Sequence, residues 1–391
     1  MIEAIKDSRP RPQIKTPEVI KGALVMALSR MGSLNALEQT KGNLFWKRWL
    51  AGEKLPSADT MGRAFAVINR DAIREALRHI YSRLKRNKVL KPAFGGLFAL
   101  IVDGHESHAS YLRCCKECLT RTIHTTKGDK IQYYHRNVTA VLLAKDFLVL
   151  LDLEPQRPGD DEVAAAMRLT ERVLRNYPRA FDLIIADGLY TRPNFFKLAS
   201  DHGKEVLTVL KDERRDLLQD ARGLFNSEKP TVIQSGCTQR QCWDIEHFHS
   251  WPQVGREVRV VRSLETTTIR RQIGGEEKQE TSDWMWVTTL SRQKVCTEDV
   301  VNLGHGRWDI ENKELNELVN SWHADHVYKH DPVAIEAFWL LTMLAYNLFH
   351  AFINLNLKPK LRYKYTCLHW SRVIAAEIYY LEVHYLSPVP T

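Results

Sequence analysis

Asp103 and Asp187 each follow a short apolar run, 97–102 and 181–186, and each is followed by glycine. A continuous apolar run of four to eight residues reads as a buried strand, so each carboxylate is expected at the carboxyl end of a central strand. The glycine after it permits close approach by a ligand. One Asp-Gly also marks ordinary turns, but two in matched contexts, joined by a third acid, make a pattern. The third is Glu311 in Arg307-Trp308-Asp309-Ile310-Glu311, expected in the second turn of a helix opening at Arg307, with Leu315 packing on the same face. Three carboxylates from two strands and one helix form an oxygen-rich set suited to Mg²⁺ or Mn²⁺. Two such ions, about 3.5–4 Å apart, can activate a water or a 3′-hydroxyl and stabilise the departing oxygen. Arg307, one turn before Glu311, offers a planar fork to a phosphate.

The elements that would carry these residues follow from periodicity. Helices are expected over 19–31, 61–68 (with cap residues at Ser57 and Thr60) and 71–84, the last ending in the basic run Lys85-Arg86-Asn87-Lys88. Strands are expected at 97–102, 132–135, 138–143 and 148–153, the last three as a meander, then a helix over 161–177. A strand at 181–186, a helix at 194–202 and a strand at 205–210 complete an alternating core. From 212 to 301 the texture changes to short strands at 231–233, 242–247, 256–261, 267–273 and 284–290, read as a β-rich insertion. The expected organisation is an N-terminal helical, DNA-binding unit (1–94), a catalytic core in two parts (95–211 and 302–357) around the insertion (212–301), and a basic C-terminal tail (358–391).

In this order, Asp103-Gly104, Asp187-Gly188-Leu189-Tyr190, a β insertion and Arg307-Trp308-Asp309-Ile310-Glu311 resemble the DDE transposases of bacterial insertion sequences, of the IS-four type. The resemblance covers roughly 95–350. It implies an α/β fold, an RNase H-like mixed sheet flanked by helices, with the β-rich insertion and the N-terminal helical domain. It also implies that Asp103, Asp187 and Glu311 are catalytic residues holding two Mg²⁺ (or Mn²⁺) ions, and that Arg307 contacts DNA phosphate. Trp308 and Lys313 are expected to face DNA beside it. The partners implied are double-stranded DNA, as element ends and target, and a second copy of the chain in a homodimeric DNA complex. The family signature has a Tyr three residues before the Arg and a Lys seven after the Glu; here those positions are Gly304 and Leu318, leaving His305, Lys313 or an insertion residue to substitute. Members of this type often stack a flipped base on tryptophan; Trp284 and Trp286 are candidates by type, against a reading as aromatic core of the insertion. A metal-dependent nuclease without strand transfer and a domesticated, non-catalytic DNA-binding protein remain as alternatives.

Composition bounds the rest. Of 391 residues, 44% are hydrophobic and 26% charged, enough apolar material for a sizeable core. Lys and Arg total 56 against 47 Asp and Glu, a net charge of +9 that suits a polyanionic partner. The N-terminal 16 residues lack the apolar core of a secretory signal, and a cytoplasmic, reducing location is the default for seven cysteines without scaffold spacing. The 338–357 stretch is long enough to span a membrane, but Asn347, His350 and Asn354 recur along it and a buried core helix is expected. Cys115 and Cys118, beside Cys114 and near His108, His124 and His135, have zinc-ligand spacing. One pair without a second, unless Cys237 and Cys242 are brought close, favours free thiols over a structural Zn²⁺. His105 and Glu106 are expected on a loop surface, and Asp160, Asp161 and Glu162 at a helix N-terminus. His326 and Tyr328 are expected to pack or to meet DNA backbone, and the basic, aromatic run 358–372 is suited to nucleic acid or to a solvated edge.

Overall fold

The computed structural model describes residues 1–145, 148–211, 215–270, 277–310 and 316–383. Five helices come first: α1 (Thr16–Leu28), α2 (Leu34–Gln39), α3 (Leu44–Trp49), α4 (Ala58–Phe65) and α5 (Arg70–Arg86). Side-chain oxygens of Ser57 and Asn69 cap α4 and α5 by accepting backbone N–H groups, the local signal that starts them there. Then follow β1 (Ala99–Ser110), β2 (Leu119–Thr125), β3 (Gly128–Leu143), β4 (Leu148–Pro155), α6 (Glu162–Asn176), β5 (Leu183–Ala186), α7 (Pro193–Asp201) and β6 (Glu205–Val209). The 212–301 stretch opens with a helix, α8 (Arg215–Phe225), before β7 (Thr231–Ser235), β8 (Thr238–Phe248), β9 (Val258–Arg270) and β10 (Glu277–Thr288). The chain ends in α9 (Thr297–Ile310), α10 (Asn316–Trp322), α11 (Pro332–Asn356), α12 (Pro359–Lys364) and α13 (Cys367–Val383).

The core sheet runs β4–β3–β1–β5–β6, with β4, β3 and β1 antiparallel and β5 and β6 parallel to β1. A meander followed by two crossover strands is the RNase H-like arrangement, and both crossover connections carry helices, α6 and α7. The β-rich stretch is not a separate sheet. Its last strand, β10, pairs antiparallel with β6 through Trp286–Val209, Val287–Thr208 and Thr288–Leu207, so the described strands form one ten-stranded mixed sheet.

Two expectations change in detail. Residues 132–135 and 138–143 belong to one strand, because Arg136 and Asn137 continue the ladder opposite Glu106 and His105. Likewise β1 does not stop at Asp103; its polar half, through Ser110, pairs with the polar half of β3. Cross-strand pairing, not apolar pattern, carries both extensions.

β4 lies at the sheet margin, and its outer backbone groups are met by side chains. Asn347 of α11 accepts from the Leu150 N–H at 3.0 Å and donates to the Leu150 carbonyl at 2.7 Å, standing in for a neighbouring peptide. Tyr177 donates to the Leu151 carbonyl, and Arg74 and Arg172 to that of Leu153. Beside them lies a buried ion-pair network: Arg74 and Arg172 hold Asp152 at 2.9 and 2.6 Å, Arg168 and Arg172 hold Glu154, and Arg74 and Arg70 hold Glu336. It ties α5, β4, α6 and α11 together. α11 is the one described helix long and apolar enough to cross a membrane, yet 83% of its most apolar window is buried in the protein. The N-terminal helices pack on it, with Phe65 stacked on Phe338 at 3.9 Å between ring centres.

Replacing Asn347 with Leu would leave the Leu150 N–H and C=O buried and unpaired. At about 1–3 kcal/mol for each of the two orphaned groups, the expected loss is about 2–6 kcal/mol of stability. Urea denaturation would reveal it as a lower midpoint at unchanged slope; an N347L midpoint equal to that of the parent would refute the edge-capping role.

Candidate active site

The parallel register of β1 and β5 runs Ala99–Leu183, Leu100–Ile184, Ile101–Ile185, Val102–Ala186. Asp103 and Asp187 occupy the next step on each strand. Matched positions on neighbouring strands share one face of a sheet and stand about 5 Å apart, so the pairing itself brings the two carboxylates together. The four residues before Asp187 are all buried, as are the four before Asp103, which fixes both backbones in the core.

Arg307 joins the pair. Its Nη1 lies 3.1 Å from Oδ2 of Asp103, and its Nη2 lies 3.9 Å from Oδ1 of Asp187. Its side chain is only 7% exposed, so the guanidinium is a largely desolvated cation lodged against both acids. It comes from the last turn of α9, a helix that begins ten residues before the expected start at Arg307 and packs across β5, β6 and β9. Lys211, just beyond β6, brings a second cation to Asp187, with Nζ 3.2 Å from Oδ1. Burial raises the pKa of Asp187, but the Gly188 N–H, Arg307 and Lys211 outweigh it and hold the carboxyl below its ordinary value. The arrangement is therefore a pair of carboxylate oxygen donors faced by two cations, a donor set that fits a hard divalent cation.

Glu311 and Lys313 lie outside the described residues; α9 ends at Ile310, immediately before Glu311. Trp308 is 42% exposed beside Arg307, whose guanidinium carbon is 5.8 Å from its ring centre. Trp308 also meets Trp284 edge-on at 5.8 Å, and Trp284 stacks with Trp286 at 6.1 Å. Trp286 is fully buried, as the core reading of the insertion aromatics expects, while Trp284 is half-buried at the edge of the cluster.

Both departures from the signature are explained by packing. A side chain at Gly304 would collide with the Trp286 indole, and Leu318 is completely buried. His305 is engaged as well: its Nε2 lies 2.7 Å from Glu265, and its ring packs edge-on to Trp284 and Trp286.

Two contributors escape a sequence reading. Lys211 is a lone lysine after a strand, marked only by its place at the carboxyl end of a parallel strand. Glu162 starts α6 as expected, with Asp161 as the cap, but its carboxylate folds back over Gly104, where a Cβ would collide with it. Gly104 thus makes room for an acid of this chain, not for an incoming ligand. Arg136 lies 2.7 Å from Glu162, and Tyr190 donates its hydroxyl to it at 2.6 Å, the phenol being pushed far up in pKa by burial and by that acid. The Tyr of Asp187-Gly188-Leu189-Tyr190 therefore links the turn after β5 to the start of α6.

His105 and Glu106 are strand residues, not loop surface. Glu106 pairs with Arg121 at 2.7 Å; His105 packs on Trp339 with both ring nitrogens shielded and unpartnered, and burial pushes it down to about 4. Tyr328 packs on Phe338 and His326 on Tyr328, the packing alternative for both.

Among curated proteins none matches this chain. Residues 96–348, well over half of the 391, match the family model described as the transposase DDE domain, and the chain belongs to that family.

Proposed function

We propose that this chain is a cut-and-paste transposase of the IS-four type, in which Asp103, Asp187 and Glu311 hold two divalent metal ions, Mg²⁺ or Mn²⁺. The observation that carries this reading is the buried Arg307 guanidinium lodged against both Asp103 and Asp187: two carboxylates so close need cationic charge between them. When bound, two divalent ions would supply the Lewis acidity that activates a water or 3′-hydroxyl and stabilises the leaving oxygen.

The chain's own residues supply the rest. Asp103 and Asp187, fixed on adjacent core strands, orient the donor oxygens, and Glu311 follows from the end of α9. Arg307, beside both aspartates, offers its planar fork to the scissile phosphate and offsets charge gathering on its oxygens. Lys211 keeps Asp187 ionised and adds positive charge for the DNA backbone. Trp308, exposed beside Arg307, offers a ring face for an unstacked base, and Lys313 adds a further backbone contact. The reaction is an in-line displacement: water opens the phosphodiester at the element end, and the freed 3′-hydroxyl attacks a second phosphodiester. Two ends must be held together for this, so the DNA complex is proposed to contain a homodimer.

Asp103→Asn, Asp187→Asn and Glu311→Gln are each expected to lower cleavage and joining by about a thousandfold or more, while binding of end DNA stays within a few-fold. The assay uses a 3′-hydroxyl donor duplex and a plasmid target. Joined products support transposition, nicks alone indicate a nuclease, and full activity in any one of the three variants overturns the metal-site assignment.

Arg307→Ala should act in two opposite directions. Removing a cation 3.1 Å from Asp103 should tighten Mn²⁺ binding, by about tenfold at the effective dielectric of such sites. The same change should slow strand cleavage by about a hundredfold, because the phosphate loses its bidentate partner. Mn²⁺ titration by calorimetry together with cleavage kinetics tests both; unchanged metal affinity and unchanged rate would remove Arg307 from the mechanism.

A further inference from the structure

The carboxylate pair leaves unused a cluster of sulfur and imidazole further along β1 and β3. Cys115 and Cys118 sit in the segment between β1 and β2, and the adjoining strand β3 contributes His135. The two sulfurs are 3.7 Å apart, and Nε2 of His135 lies 3.2 Å from Sγ of Cys115 and 3.3 Å from Sγ of Cys118. One nitrogen thus faces both sulfurs at once. Ligands about 2.3 Å (sulfur) and 2.0–2.1 Å (nitrogen) from a tetrahedral zinc ion stand about 3.5–3.8 Å from one another, close to this triangle.

Three further features belong to a metal site and not to a chance contact. The Cys115 N–H donates to Sγ of Cys118 at 3.1 Å, so the backbone between the two cysteines turns both sulfurs to one side. His135 is buried on β3, which fixes its ring with one nitrogen against both sulfurs. Two more imidazoles surround it: His108 stacks on His135 at 4.9 Å, and His330 meets His108 at 6.0 Å with its Nδ1 buried and without a hydrogen-bond partner. The insertion cysteines are not part of the cluster; Cys242 contacts Ser263 instead.

We propose that Cys115, Cys118 and His135 bind a structural zinc ion, with the His108 and His330 rings beside them. The ion pins the exposed segment between β1 and β2 onto β3, five residues along β1 from Asp103. Soft thiolate ligands with imidazole select zinc over the hard cations suited to the carboxylates, and the site is independent of the proposed reaction.

The test uses the full chain, expressed with zinc in the medium and purified under reducing conditions. Elemental analysis is expected to find about one zinc per chain, and exchange for Co²⁺ to give an intense thiolate-to-cobalt charge-transfer band. The double variant Cys115→Ser/Cys118→Ser should lose zinc content by about tenfold or more and lose the band. Cys296→Ser, an exposed thiol elsewhere, and Asp187→Asn should keep both; retention in D187N separates this ion from any bound at the aspartates. Trace zinc and no cobalt band in the unaltered chain would overturn the proposal, as would a Cys115–Cys118 disulfide in place of metal or equal zinc in the double variant.

Discussion

Two carboxylates fixed at neighbouring positions of parallel strands repel each other, and the site is organised around that repulsion. At about 5 Å and an effective dielectric near 20, the cost is about 3 kcal/mol, a large fraction of the stability of a typical domain. The strands cannot relax it by separating, because the residues before each Asp are sealed in the core. Opposite charge must come to them, and two elements bring it: α9 with Arg307 and the end of β6 with Lys211. The β-rich stretch takes part indirectly. β10 pairs with β6, and its Trp286 is the surface against which α9 seats through the flat face at Gly304. Without that close approach, the Arg307 guanidinium would stand off from the acids.

The opposite margin of the sheet meets a related constraint. An edge strand under a helix has backbone groups that water cannot reach, and apolar side chains cannot satisfy them. α11 solves this with one amide, Asn347, placed in a run of otherwise apolar residues. Its Glu336 enters the arginine network that also holds Asp152 and Glu154. Burial raises the Glu154 carboxyl, and the hydrogen bonds from Arg168 and Arg172 overturn that and hold it ionised. Of the polar residues that argue against a membrane span in the sequence, Asn347 joins the helix to the sheet, while His350 pairs with Glu317 of α10 and Asn354 donates to the His350 carbonyl.

The apolar strand segments that lead into Asp103 and Asp187 and the order of the alternating core were legible because short apolar runs and helical periodicity are local signals. The start of α9 was not. Gly304 and Gly306 are poor helix formers, yet each lies where the helix meets another surface, Gly304 at Trp286 and Gly306 at Leu143; close packing outweighs helix propensity there. The polar half of β1 was hidden for a similar reason: Gly104 to Ser110 has no apolar alternation, and its strand character comes from its partner β3. Lys211 and Glu162 reach the site through tertiary folding, which a linear pattern does not encode. His135 is seventeen residues from Cys118, and the β2–β3 pairing, with Leu119 opposite Tyr134, brings it to the thiols.

The positions where the chain departs from its family's signature are occupied, not empty. Gly304 belongs to the contact that seats α9, and Leu318 is a core residue of α10. A tyrosine restored at 304 would push α9 off Trp286 and move Arg307 with it; a lysine at 318 would bury an unpaired charge among apolar side chains. His305 is likewise committed, between two tryptophans and Glu265. Among the described residues the cation closest to Asp187 is Lys211, at 3.2 Å against 3.9 Å for Arg307, and it comes from the end of β6. Positive charge at this site is thus set by sheet geometry as well as by the helix, which frees the helix positions of the signature to serve packing.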